Sequence, residues 1–376
     1  MSVQEKENIK RICMISMRTQ NTHVSRCSDY EFEDVIVSVD DVDLFAVEQG
    51  RTFSLRKRLI NQSTRHISTF FSQVSPSFSR FSLEKEYDLF LAIFEDITDV
   101  LVVNSIKNWE RQCRLSVCWI DEIWLASLET NRRLCENILS RFDFVFTGCK
   151  DSVKRLQEIV NTPCRYMPPG VDMLKFIPKT PTPQRSIDIY SMGRRPKILH
   201  QKLLALKESK GITYIYDGLE SSSLYVKDYM VHRDKLRASL QKSRSFLVFP
   251  SKFDVPNQTH GQVEFGFRFF EGAASGAVLI GDIPDSEAFK EIFYWEDAVI
   301  PLPRNTDDLY RLLETLDKSV TRVEKIQKNN IYQCLLHHDW VYRWRQILKC
   351  TGLEVTLGLQ GREQRLRELS DLYVID

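Results

Sequence analysis

Residues Phe246 to Asp282 read FLVFPSKFDVPNQTHGQVEFGFRFFEGAASGAVLIGD. The opening FLVFP is a short continuous apolar run, the pattern of a strand covered on both faces of a parallel sheet. A polar loop follows, Glu264 to Ala274 reads as a helix, and Ala277 to Gly281 predicts the next strand. Glu264 and Glu271 are seven positions apart, which on a helix sets them on one face, two turns apart, with Arg268 in the same stripe. Acids among Phe265, Phe267, Phe269 and Phe270 need a partner if buried, and a pair of sugar or ribose hydroxyls is one. The helix start offers free N–H groups and partial positive charge to a phosphate. Gly261 and Gly266 let a ligand approach the backbone.

The same strand-then-helix rhythm runs outward in both directions. Toward the N-terminus, strands are expected at Ile12–Ser16, Asp34–Val39, Tyr87–Phe94, Leu115–Ile120 and Phe142–Thr147, with helices at Ile97–Ile106, Ile123–Leu139 and Lys150–Val160. Gly50–Ser82 reads as a helix plus a long loop. Six prolines between Pro163 and Pro183 mark a linker. Beyond it, strands are expected at Ser186–Met192, Ile212–Tyr216 and Phe246–Pro250. Helices are expected at Lys197–Ser209, Asp234–Ser243 and Asp307–Leu316, and over Thr321–Leu348 with a break near His337-His338. Alternating strands and helices on both sides of a hinge predict an α/β protein of two parallel-sheet, Rossmann-like halves. The expected domains are 1–178, 179–335 and a helical segment 336–376 packing back toward the first. Ligand binding is expected in the cleft where the two sheets face each other.

The 376 residues carry a net charge of +1, which disfavours a sequence-independent nucleic-acid binder. Nine cysteines without a C-x-x-C pair argue against a disulfide framework or structural zinc and fit a reducing cytoplasm. Met1–Lys10 is polar, unlike a signal peptide, and no apolar run approaches the roughly 18 residues of a membrane span. Acidic runs at Asp40-Asp41-Val42-Asp43 and Asp285-Ser286-Glu287 read as solvated turns, and no metal site is expected. Arg51–Arg65 interleaves Arg51, Arg56, Lys57, Arg58 and Arg65 with Phe53, Leu55, Leu59 and Ile60. Such a segment suits peripheral contact with anionic lipid or an anionic acceptor. A plain amphipathic surface helix is the commoner origin of the pattern.

Glu264-Phe265-Gly266-Phe267 and Phe270-Glu271-Gly272-Ala273-Ala274-Ser275-Gly276 resemble the two-glutamate nucleotide-binding motif of retaining glycosyltransferases with the GT-B fold. Arg268 ahead of Phe270-Glu271 looks most like the spore-maturation-protein-like branch. Pro169-Gly170-Val171-Asp172 with Phe176 and Pro178 resembles that family's hinge, Ser191-Met192-Gly193-Arg194 its second-domain strand end, and His338-Asp339-Trp340 with Arg343-Trp344 its terminal helix. The resemblance spans about Phe142 to Leu348. The chain departs from the motif in leaving six residues between the glutamates where seven are usual, and in lacking the glycine after the first.

The resemblance implies two Rossmann-like domains and transfer of a sugar from a nucleoside diphosphate sugar to an acceptor hydroxyl. It implies that Glu271 holds the ribose, that Glu264 contacts the donor sugar, and that a basic residue after Gly193 (Arg194, Arg195 or Lys197) neutralises the leaving diphosphate. Gly266, Phe267, Arg268 and His260 join the expected donor site. Fixed cations stabilise charge on a leaving phosphate without a metal or other cofactor. On the acceptor side, Asp121 at a strand end is a candidate base, with an N-cap as its plainer role. Thr147-Gly148, and Arg18 and His23 after Met17, are further candidates. The altered spacing keeps a non-catalytic sugar-nucleotide or partner binder open, and an epimerase or phosphorylase shares the fold. A dehydrogenase is disfavoured because no G-x-G-x-x-G follows the first strand.

Overall fold

The computed structural model describes residues 9–18, 23–48, 50–217, 225–302 and 307–374. The chain forms two compact units. The first comprises Met1–Pro168, Gln258–Gln262 and Arg343–Gln360; the second comprises Pro169–Asn257, Val263–Tyr342 and Gly361–Asp376.

The first unit holds a six-stranded sheet in the order β2-β1-β3-β4-β5-β6, with every neighbouring pair parallel. Its strands are β1 (Ile9–Ser16), β2 (Val42–Ala46), β3 (Glu86–Asp96), β4 (Cys113–Glu122), β5 (Phe144–Thr147) and β6 (Cys164–Tyr166). The main helices here are α1 (Cys27–Val39), α2 (Phe53–His66), α3 (Leu125–Thr130), α4 (Arg132–Ile138) and α5 (Ser152–Ile159). The central strands β3 and β4 are buried almost throughout, and Phe90, Trp109 and Phe142 stack beside them at 4.5 to 6.0 Å.

The second unit holds a five-stranded parallel sheet in the order β11-β10-β9-β7-β8. Its strands are β7 (Ile187–Ser191), β8 (Tyr214–Tyr216), β9 (Ser243–Val248), β10 (Val278–Gly281) and β11 (Ile300–Pro301). The helices that matter below are α6 (Lys197–Lys210), α7 (Tyr229–Gln241), α8 (Phe267–Ala274), α9 (Asp307–Lys318) and α10 (Val320–His337). α11 (Trp340–Thr351) and α12 (Leu357–Ser370) follow. In each sheet the strand order reverses once, between β1 and β3 and between β7 and β9. Such switch points open a crevice at the carboxyl ends of the strands. The α/β class with two parallel sheets agrees with the sequence reading.

Several elements differ from expectation. Asp34–Val39 is not a strand but the end of α1, and the second strand comes later, at Val42–Ala46. Ten of the thirteen residues of α1 are buried, so its β-branched DVIVSV run lacks the polar stripe that marks a surface helix. The helix expected over Ile123–Leu139 divides at Asn131, whose Nδ2 bonds back to the Ser127 carbonyl at 2.7 Å. Asp40 is not solvated: it forms an ion pair with Arg11, whose Nε lies 2.6 Å away, and accepts from Trp344 Nε1 at 3.0 Å. The helix expected from Glu264 starts at Phe267, so Glu264 lies outside it and does not share a helical face with Glu271.

α8 lies hard against its sheet. A Cβ on Gly272 would sit 2.5 Å from Leu279 Cδ2 on β10 and 2.7 Å from Phe246 Cδ1 on β9. We expect Gly272→Ala to destabilise the protein by about 1–3 kcal/mol through overpacking. Urea unfolding checks it, and an unchanged midpoint would mean that helix and sheet are not in this contact.

Candidate functional site

The second unit gathers its chemistry at the β7–β9 switch point. Past β7 the chain turns at Gly193, whose φ of +84° is a backbone conformation that side-chain-bearing residues rarely adopt. The space a Cβ would take there faces Arg268 Nε at 4.0 Å. Past β9, the Ser251 amide donates to the Glu264 carbonyl at 2.7 Å, tying the strand end to the stretch ahead of α8. Gly266 precedes α8 and would bring a Cβ 3.1 Å from Ser251 Oγ. Among the described residues no side chain caps the start of α8, and its first turn holds no acid. Its leading N–H groups thus carry no capping partner of the usual kind.

Glu271, on α8, has no exposed surface. It accepts from Arg233 on α7 through one oxygen and from Arg268, one turn back, through the other. Burial alone would push this carboxyl up, but the Arg268 and Arg233 guanidiniums outweigh it and hold it down at about 2. Arg233 is almost fully buried and packs its guanidinium 4.8 Å from the Phe176 ring centroid, whereas the Arg268 side chain stays 28% exposed. Burial and the same two cations push the neighbouring His232 down to about 4, so it is neutral at physiological pH. Arg233 lies one residue ahead of the helix expected from Asp234. α7 starts at Tyr229, and Asp228 caps it by accepting from the Met230 and Val231 amides at 2.8 and 3.3 Å. That Asp cap was the readable signal.

The other donor-side candidates are placed as follows. Arg194 is exposed and pairs with Asp254 at 2.9 Å. Arg195 donates to the Asp217 carbonyl and lies 5.2 Å from the Tyr216 ring centroid. Lys197 is exposed at the first position of α6. Phe267 is half-buried, 6.0 Å from the Trp340 ring. Phe265, Phe269 and Phe270 turn instead into an aromatic core with Phe289 and Phe293. Glu264 is buried in the irregular stretch ahead of α8. His260 is exposed, with φ of 50°, in the segment Gln258–Gln262 that packs with the first unit. In that segment Gln262 accepts from the Leu125 amide at 2.9 Å and donates to Ser152 Oγ at 3.0 Å.

In the first unit, Asp121 is buried near the end of β4, against Gly148, where a Cβ would lie 2.6 Å from the Asp121 carbonyl oxygen. It does not cap the next helix, which starts at Leu125 with Trp124 at the cap position and no side-chain cap. Around the β1–β3 switch point more acids are buried. Glu33 accepts from Ser16 Oγ at 2.6 Å and pairs with Arg18 at 2.7 Å, yet burial still pushes it up to about 7. Burial likewise pushes Glu95 up to about 7 against Arg26, which lies 3.3 Å away. Asp29 is pushed well up by burial and by Asp121 and Glu95. Asp99, held by Arg26 and Lys57 at 2.6 Å each, goes the other way, down to about 2, because two cations overcome its burial. Among the described residues no group of three or more His, Cys, Asp or Glu is arranged to hold a metal ion.

The Glu271 cluster makes a prediction about acid stability. A depressed carboxyl contributes stability that is present above its ordinary value near 4.5 and is lost as pH falls toward 2. Removing one member of a buried ion group leaves the rest uncompensated, so Glu271→Gln should lose about 3–5 kcal/mol at neutral pH. The gap from wild type should close between pH 4.5 and 2. Urea unfolding across that range checks it; a gap independent of pH would remove the charge from the account.

Residues 216–349, just over a third of the chain, match the family described as Glycosyl transferase-like. No curated protein sequence matches the chain. Among solved structures, the chain is similar to the Anabaena protein HepE, solved in complex with UDP-glucose, at 13% identity over 91% of this chain and 99% of that one, with a TM-score of 0.52. It is also similar to an α,α-trehalose 6-phosphate synthase from Burkholderia multivorans, at 8% identity over 92% and 97% of the two chains, with a TM-score of 0.50. At these identities the likeness is one of fold. The chain thus carries a glycosyl transferase-like region, from Tyr216 to Lys349, within an α/β fold of two parallel sheets shared with HepE and the synthase.

Proposed function

We propose that this protein transfers a sugar, in the manner of a hexosyltransferase, from a nucleoside diphosphate sugar to an acceptor hydroxyl with retention of configuration. The spore-maturation-protein-like branch suits its motifs best. The observation that carries this reading is the fixed charge at the β7–β9 switch point. Arg268 is held by a buried, ionised Glu271 beside Gly193 and the uncapped start of α8, inside the glycosyl transferase-like region. A departing nucleoside diphosphate needs such a set of preorganised donors. Arg268 with Arg194, Arg195 and Lys197 serves the diphosphate, and no metal enters the scheme. Gly193, Gly266 and Phe267 border the donor.

Glu271 acts on the ribose end of the donor and sets the direction of the two guanidiniums. Glu264 faces the sugar, and Asp121 is the acceptor-side acid of the first unit. With no enzymic nucleophile assigned, departure and attack take place on one face of the sugar. A second reading, donor binding without turnover, is favoured by two observations: Glu264 lies off the helix and Glu271 is already engaged on both oxygens.

The test is a thermal-shift screen with UDP, GDP, ADP and dTDP sugars, followed by nucleotide release with and without acceptors. One nucleotide class at about 100 times its dissociation constant should stabilise the protein by about 2.7 kcal/mol. Arg268→Ala should weaken that binding by about 1.5–3 kcal/mol, a charged hydrogen bond's worth. Acceptor-dependent nucleotide release with a retained anomer by NMR is the expected result. Binding without release selects the second reading, and an inverted product overturns the single-face mechanism.

A further inference from the structure

From Gly50 to Leu83 the chain contains no Asp or Glu, although its average composition would place about five there, and it contains Arg51, Arg56, Lys57, Arg58, Arg65 and Arg80. α2 fills the first part of this stretch. Its inner face buries Phe53, Ile60, Asn61 and Thr64 and turns Lys57 inward to Asp99 at 2.6 Å. Its outer face presents Leu55 and Leu59, one turn apart and 59% and 52% exposed, with the exposed Arg58 beside them. Ile67, which ends the helix, is exposed, and so are Phe70 and Phe78 just beyond it. The Arg56 guanidinium lies 3.6 Å from the centroid of the Phe78 ring, joining that loop to the helix. Of the protein's 22 phenylalanines, Phe70 and Phe78 are the exposed ones.

Single exposed apolar side chains are ordinary, but five large ones within one short, acid-free, arginine-rich segment carry a partner's chemistry. We infer that this face, α2 and the segment to Phe78, seats the protein on the surface of an anionic lipid bilayer. The exposed Arg51 and Arg58 meet lipid headgroups, each adding roughly fivefold to the partition coefficient. The leucines, Ile67 and the two phenylalanines enter the boundary with the acyl chains, as the apolar face of an interfacial helix does. A soluble polyanion would use the arginines but gain nothing from Phe70 and Phe78. The inference stands on this surface alone, so it fails or holds independently of the glycosyl-transfer reading.

The test is co-sedimentation of the full-length protein with vesicles of phosphatidylcholine alone and of equal parts phosphatidylcholine and phosphatidylglycerol. The protein should pellet with the second and not the first, and high salt should release it. Leu59→Ser with Phe70→Ser should lower the partition coefficient by at least tenfold. Arg58→Glu should lower it by about 25-fold, the loss of one attractive charge and the gain of one repulsive charge. Each substituted side chain is exposed, so melting temperatures should match the parent. No pelleting with either vesicle, equal pelleting with both, or anionic binding unchanged by the apolar substitutions and competed by soluble polyphosphate would each overturn the inference.

Discussion

A carboxylate sealed from water must either give up its charge or be met by enough positive charge to keep it. Glu271 keeps it because Arg233 and Arg268 each take one of its oxygens. Those two contacts fix two guanidiniums on different helices, α7 and α8, at the strand ends of one sheet. Glu33 in the first unit, paired with one arginine, Arg18, is instead pushed up by burial to about 7. Paired in this way, Arg268 has its Nε 4.0 Å from where a Cβ on Gly193 would lie.

The pairing in turn depends on how closely α8 approaches its sheet. Gly272 follows Glu271 directly and touches β9 and β10 side chains where any Cβ would collide. Small residues therefore set the depth of the helix, the depth buries the glutamate, and burial makes the arginines necessary. Strand order then gives the cluster its place, since the reversal between β7 and β9 is what leaves room at the strand ends.

The fold was legible where burial leaves a one-dimensional trace. β3, β4, β5 and β9 are continuous apolar runs because helices cover both faces of a parallel sheet. The same logic misleads at Asp34–Val39: α1 is buried nearly all round, and its β-branched residues imitate a strand. In the candidate site, Glu271, Arg268 and the glycines could be read because they fall within one short motif. Glu264 falls off the helix although its spacing to Glu271 is helical: the chain from Val263 to Gly266 forms no helix, tied to Ser251 through a backbone bond that leaves no mark in side-chain pattern. Arg233 escaped notice because its partner is 38 positions away, and an ion pair at that range has no periodicity.

The two switch points carry opposite electrostatics from the same ingredients. At β7–β9, cations exceed the acids they touch, and the acid is ionised while Arg268 keeps part of its surface in solvent. At β1–β3, acids outnumber cations: Asp29, Glu33 and Glu95 share Arg18 and Arg26, and burial pushes all three toward the neutral form. Asp99, met by both Arg26 and Lys57, goes the other way and stays ionised. A fixed cation attracts phosphate, whereas a neutral carboxyl can both donate to and accept from a hydroxyl. In a glycosyl transfer the leaving group is a phosphate and the acceptor is a hydroxyl. The proposed assignment of donor to the second unit and acceptor to the first therefore follows the number of cations available to each buried acid.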